Sequence, residues 1–182
     1  MVALLLVFMI LAALGFVISL AAHLIALTGR MPPGGDAIFA MHTGIVVVWL
    51  PAVLVSIRVG YAQGSRSLWS GWGRWRQALG GCPPWMIYAA YGLIGYALLN
   101  FVLAFASVGE RLPNTGLESQ TLRAFSGHWM LFYGLGFAIL YSAFREPWRL
   151  KSMKCPSGHR VAHSDKFCPS CGVTLPTPSG RA

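Results

Sequence analysis

Apolar residues run almost unbroken through four stretches of the chain: Val2 to Leu27, Ala37 to Ile57, Met86 to Ser107 and Phe125 to Phe144. Each holds about twenty residues or more without a charge, enough for an α-helix to cross the roughly 30 Å hydrocarbon core of a bilayer. The pattern predicts an all-α membrane domain over residues 1–148 with four transmembrane helices, at about 2–27, 37–57, 86–107 and 125–144. The first run lacks a positively charged start and is longer than the roughly 7–15 residues of a signal-peptide core, so it reads as a retained helix. Pro51 falls inside the second run, where the missing backbone donor is expected to kink the helix.

Between the second and third runs, Leu68, Trp72, Trp75 and Leu79 recur at helical spacing within 67–79. One apolar face with Trp and Arg nearby suits a helix lying in the headgroup region. Gly71 and Gly73 work against that helix, and Pro83-Pro84 then turns the chain into the membrane. Ala89, Ala90, Gly92, Gly95 and Ala97 on the third run, with Gly134 and Gly136 on the fourth, are small enough for close helix packing, within one bundle or between subunits. Glu146-Pro147-Trp148 ends the last helix, and residues 176–182 read as a disordered tail.

Composition narrows the class. With 55% hydrophobic residues, 10% charged residues and a mean hydropathy of +0.59, the chain does not read as a soluble globule. The net charge of +9 suggests nucleic acid only until it is placed along the chain. Arg30 and Asp36, in the first connection, and Glu110, Arg111, Glu118 and Arg123, in the third, cancel. Arg58, Arg66, Arg74 and Arg76, around the middle connection, have no acid among them, and seven basic residues of the tail outnumber Glu146 and Asp165. All the excess positive charge therefore lies on one side of a four-helix topology. The positive-inside rule places both termini and the middle connection in the cytoplasm. Anionic lipid headgroups at that face account for the basic residues without a nucleic-acid partner.

The most specific chemistry lies near the C-terminus. Cys155 and His159 form a Cys-x3-His pair, and Cys168 and Cys171 a Cys-x2-Cys pair, with eight residues between them. Each pair fits one tight turn, and the spacer is long enough for a β-hairpin to bring the chain back. Four such ligands close a tetrahedral structural zinc site, and a domain this small depends on the metal for much of its folding free energy. The cytoplasm keeps such thiols reduced. Cys82, in Gly80-Gly81-Cys82-Pro83-Pro84, stands apart as a small residue beside the third helix.

Cys155-Pro-Ser-Gly-His159-Arg-Val and Lys166-Phe-Cys168-Pro-Ser-Cys171-Gly172 together resemble the short zinc ribbons at the ends of many bacterial proteins. The resemblance covers residues 153–175. It implies a β-hairpin and knuckle fold, zinc on Cys155, His159, Cys168 and Cys171, and a structural or docking role; His163 is also within reach as the second ligand. The membrane part is similar to multi-pass bacterial proteins through Cys82-Pro-Pro-Trp85 and Ser126-Gly-His128-Trp-Met130. A bacterial cytoplasmic (inner) membrane is the location this implies.

Three histidines, His23, His42 and His128, fall in the spans, each four or five residues from the outer end of its helix, with Asn100 slightly deeper. Ionisable groups inside a membrane are costly and face the bundle interior or water. Interhelical hydrogen bonding, a haem or transition metal held by His42 and His128, and a proton or quinol pathway are the competing roles. No nucleophile–base pair, paired carboxylates or phosphate-cradling loop is evident, and every acid lies outside the spans. The expected function is a non-enzymatic accessory, scaffold or assembly protein, with the ribbon or the bundle meeting a protein partner. A redox subunit with haem on His42 and His128, and a small transporter or channel, are the alternatives.

Overall fold

The computed structural model describes residues 2–63, 71–106, 117–161 and 165–175. Five α-helices follow in order: α1 (Val2–Leu27), α2 (Ala40–Ala62), α3 (Gly71–Ala78), α4 (Pro84–Ala106) and α5 (Leu117–Arg145). A 3-10 turn, Gly35–Phe39, leads into α2, and another, Pro147–Leu150, leaves α5. Two short antiparallel strands, β1 (Met153–Lys154) and β2 (Arg160–Val161), pair Met153 with Val161 and Lys154 with Arg160.

The helix limits follow local chemistry. Pro84 starts α4, where its missing N–H is no loss, and Pro147 stops α5 two residues after Arg145. α2 continues through Pro51 and one turn past the expected end, carrying Arg58 within it. Its long stem lets Arg58 keep the charged head outside an apolar layer. α5 begins eight residues before the expected span. Residues 176–182, read as a disordered tail, and Leu68 of the expected 67–79 segment lie outside the described residues. What is described there is α3, with Ala78 and Leu79 buried and the Trp75 ring 6.3 Å from that of Trp49 on α2.

α5 is the hub, packed against α1, α2 and α4. His23 faces Ser126 on α5 while Gly15 faces Tyr133, so α1 and α5 run antiparallel. His42 meets Trp129 and Val48 meets Gly136, so α2 runs parallel to α5. Cys82 meets Ala138 and Asn100 meets Arg123, so α4 is antiparallel to it. The four long helices thus alternate in direction along the chain. Leu122, Trp129, Ile139 and Leu140 of α5 are all but fully buried, whereas Leu4, Val17, Val46, Leu54, Leu98 and Val102 on the outer faces of its neighbours are exposed.

Among the described residues, three helices are long and apolar enough to cross a membrane, over Ala3–Leu27, Ala37–Ala62 and Pro84–Leu103, where the sequence predicts four. α5 is the longest at 29 residues but the most polar of the four, with Ser119, Gln120, Thr121 and Arg123 in its first turns and Ser126, His128 and Ser142 beyond. A helix enclosed by three others does not need an apolar side chain at every position, because protein rather than lipid covers it.

Small residues mark the closest approaches, though not all of those expected. A side chain added at Gly134 would meet Leu93 and Phe16, and one at Gly136 would meet Val48. Gly92 and Gly95 instead face open space, and of the small residues expected on α4 only Ala90 is buried. A close approach also falls at Gly81, whose N–H donates to Ser142 Oγ at 2.9 Å. Beside it, the buried Cys82 thiol lies 3.1 Å from the Ala138 carbonyl, and burial pushes its pKa up to about 11.

The end holding the start of α4 and the C-terminal ends of α2 and α5 is laced by arginines. Arg149 donates to Gln77 O at 2.7 Å and to Glu146 Oε2 at 3.3 Å, and Arg58 Nε donates to Leu150 O at 3.1 Å. The middle connection and the tail, the two basic segments, therefore meet at one end. A Cβ at Gly81 would sit 2.5 Å from the Ser142 backbone oxygen, which cannot swing away, while one at Gly92 meets nothing within 4 Å. Gly81→Ala should lower stability by about 1–3 kcal/mol, and Gly92→Ala should stay within about 0.5 kcal/mol, in equilibrium unfolding from mixed micelles.

Candidate metal centre

Two knuckles build the C-terminal module. In the first, Gly158 N–H donates to Cys155 O at 2.8 Å and Cys155 N–H to His159 O at 2.9 Å. In the second, Gly172 N–H donates to Cys168 O at 2.8 Å and Cys168 N–H to Val173 O at 2.9 Å. Gly158 and Gly172 have φ of 82° and 70°, a region that side chains disfavour, so glycine closes both turns. The hairpins close around each ligand pair, through β1–β2 and through a bridge between Phe167 and Thr174, rather than within the spacer as expected. Two ligands per turn already bring the chain back twice. Cys155, Val161, Cys168 and Leu175 form a small core separate from that of the bundle.

This folding gathers Cys155, His159, Cys168 and Cys171, with all four ligand atoms within 4.8 Å of one another. Zn–S bonds of about 2.3 Å and Zn–N bonds of about 2.0–2.1 Å imply tetrahedral edges of about 3.8 Å between sulfurs and about 3.6 Å between sulfur and nitrogen. Cys155 Sγ lies 3.7 Å from Cys171 Sγ and 3.5 Å from His159 Nδ1, and Cys168 Sγ lies 3.9 Å from that nitrogen. The donors and their spacing therefore fit a metal ion such as zinc. His163 lies outside the described residues, and His159 Nδ1 lies beside the cysteine sulfurs, where it could serve as the fourth ligand.

The four ligands share their protons unevenly. The Val173 backbone N–H, then Cys168 and His159, hold the Cys171 thiol down to about 6. Burial pushes the Cys168 thiol up. His159 is pushed up by the Cys171 sulfur and then by that of Cys155. Sulfur and imidazole share protons that a metal would displace.

At the far end of the bundle the polar residues form two groups on opposite sides of α5. On one side, His23 Nδ1 lies 2.8 Å from Ser126 Oγ and its Nε2 bonds Tyr96 OH. Ser126 Oγ donates to Arg123 O at 3.2 Å, and Asn100 Nδ2 donates to the same carbonyl at 3.0 Å, so Asn100 joins His23 only through these intermediates. On the other side, the rings of His42 and His128 are parallel to within 10°, with centroids 5.6 Å apart. Trp129 Nε1–H donates to His42 Nδ1 at 3.1 Å, and Phe125 and Phe132 pack on the pair. Tyr133 OH donates to Met41 O at 2.8 Å. His42 and His128, the pair that the haem alternative needs to face each other, do lie side by side, whereas His23 lies apart from them, and the sequence pattern alone assigned no polar role to Tyr96, Ser126, Trp129 or Tyr133. A hydroxyl or indole within an otherwise apolar run was the available signal.

Comparison of the chain with protein-family models, with curated proteins and with solved structures finds no match. Cys168→Ser should lose the metal and unfold residues 153–175 while the separately cored bundle keeps its melting behaviour, as metal analysis and calorimetry of the full chain would show. Because Cys171 is depressed, its thiolate is present at neutral pH and is lost as pH falls. Zinc affinity, followed by competition with a chelating dye, should therefore drop steeply as pH falls through about 6.

Proposed function

We propose that this chain is a four-span protein of the bacterial cytoplasmic membrane whose cytosolic zinc ribbon docks a protein partner, acting as a non-enzymatic accessory, scaffold or assembly subunit. The Cys155–His159–Cys168–Cys171 cluster carries the proposal. Four protein ligands leave zinc no open position for substrate, which makes the site structural, and Phe167 stands 59% exposed on the second knuckle as an apolar contact for a partner. α5 supports the fourth span by its length and by alternating in direction with its neighbours. Its polar groups then lie inside the bundle, the tolerated place for them in lipid. The bonds from Arg149 to Gln77 and from Arg58 to Leu150, which join the two basic segments, support a common cytoplasmic face for them under the positive-inside rule.

Topology is tested by introducing single cysteines at the exposed Arg30 and Lys166 and adding a membrane-impermeant thiol reagent to intact cells. Arg30→Cys should label and Lys166→Cys should not. External labelling at position 166 would overturn the orientation and place the thiol cluster in an oxidising compartment.

A second reading has one observation in its favour, the parallel imidazoles of His42 and His128. Histidines on separate helices are how bundles hold haem or metal, which would make the chain a redox subunit. The residues fit a pair of ligands only through nitrogens other than His42 Nδ1, which the Trp129 indole occupies. A visible spectrum of the purified protein separates the two functions. Haem gives a Soret band that His128→Ala removes. With a structural pair there is no chromophore, and His128→Ala costs only the ~0.5–1.5 kcal/mol of ring packing against His42 and Phe132.

A further inference from the structure

An open cavity of about 250 Å³ lies where the bundle meets the C-terminal module, lined by Arg58, Tyr61 and Ala62 of α2, Ser152 of the linker and Arg160 of β2. Two arginines and two hydroxyl-bearing residues line it, and no acidic residue is among its described lining residues. Arg58 is oriented by the bond from its Nε to Leu150 O, which leaves its terminal amino groups as donors. Arg160 is exposed, and neither arginine has a carboxylate partner among the described residues. Two like charges facing one cavity repel unless an anion sits between them. Guanidinium forks match the oxygens of a phosphate in geometry as well as charge, and hydroxyls can donate to those that remain. The volume falls just below the roughly 300–1,000 Å³ of pockets that take drug-sized ligands, so it suits a phosphate group more than a nucleotide cofactor.

We propose that Arg58, Tyr61, Ser152 and Arg160 form a phosphate-binding site, filled by the headgroup of an anionic phospholipid or by free phosphate. Basic pockets at the cytoplasmic end of a helix bundle are where anionic headgroups bind. The site draws two ligating residues from α2 and one from β2, so its occupant ties the module to the bundle. The lipid source depends on the four-span topology proposed above; binding of free phosphate does not.

The test is ligand binding to the detergent-purified, zinc-loaded full chain, read as the shift in melting midpoint with dihexanoyl phosphatidate, dihexanoyl glycerol or inorganic phosphate. Phosphatidate should stabilise and the phosphate-free glycerol should not. Arg160→Gln, at an exposed position, and Arg58→Gln should each weaken phosphatidate binding about tenfold or more. Lys166→Gln removes the same charge from the module outside the cavity and should leave binding unchanged. Equal protection by inorganic phosphate at the same concentration, still lost in Arg160→Gln, supports the site and assigns it to free phosphate. Stabilisation by neither ligand, or an equal loss with Lys166→Gln and Arg160→Gln, overturns the proposal in favour of diffuse charge attraction. Should Arg58→Gln misfold, the contrast between Arg160→Gln and Lys166→Gln still decides.

Discussion

Lipid tails are as apolar as leucine side chains, so helices in a bilayer gain little by hiding hydrocarbon from one another. α5 is held instead by close approach and by polar groups that find partners inside the bundle. Gly15, Gly44, Gly81, Gly127, Gly134 and Gly136 sit where an added side chain would strike a neighbour. Ser126, Trp129, Tyr133 and Ser142 all make polar contacts with the helices and turns around α5. Remove that hub and little joins the other helices, because most contacts of α1 and α4 are with α5.

The same constraint explains what could be read from the chain and what could not. Charge-free runs marked α1, α2 and α4 to within a few residues, because lipid contact demands apolar side chains over a fixed length. α5 was the least legible helix. Enclosed by protein, it can start at Leu117 among polar residues that no bilayer would select for or against. Gly92 and Gly95 showed the opposite error: composition said that they could pack, but only the rotation of α4 decides which side faces inward. The C-terminal cluster was legible to the atom's neighbourhood, since ligand type and spacing are a local code. The hairpin placement was not, because the turn residues Gly158 and Gly172 act on each pair separately.

Depth along a helix is readable from sequence, but azimuth is not. His23, His42 and His128 were placed correctly at one end of the bundle, yet they fall into two groups divided by α5. Two residues of helix separate Ser126 from His128, about 200° of rotation, and this turns one towards His23 and the other towards His42. Tyr96 and Trp129 complete the groups by donating or accepting where a histidine nitrogen would otherwise be bare. At the other end, Arg149 and Arg58 reach the carbonyls of Gln77 and Leu150, using their long stems to join segments far apart in sequence.

The pairing of α1 with α5 bears on how the molecule is made. α1 has its main partner in α5, more than a hundred residues later in the chain. Until α5 arrives, α1, α2 and α4 share few contacts and must persist in the membrane as loosely associated segments, His23 and Asn100 among them lacking their bonds to α5. Closure is therefore a late, non-local event, of the kind that slows folding and leaves intermediates exposed. A chain truncated before α5 would not be a smaller version of this bundle; it would be three long helices waiting for their centre.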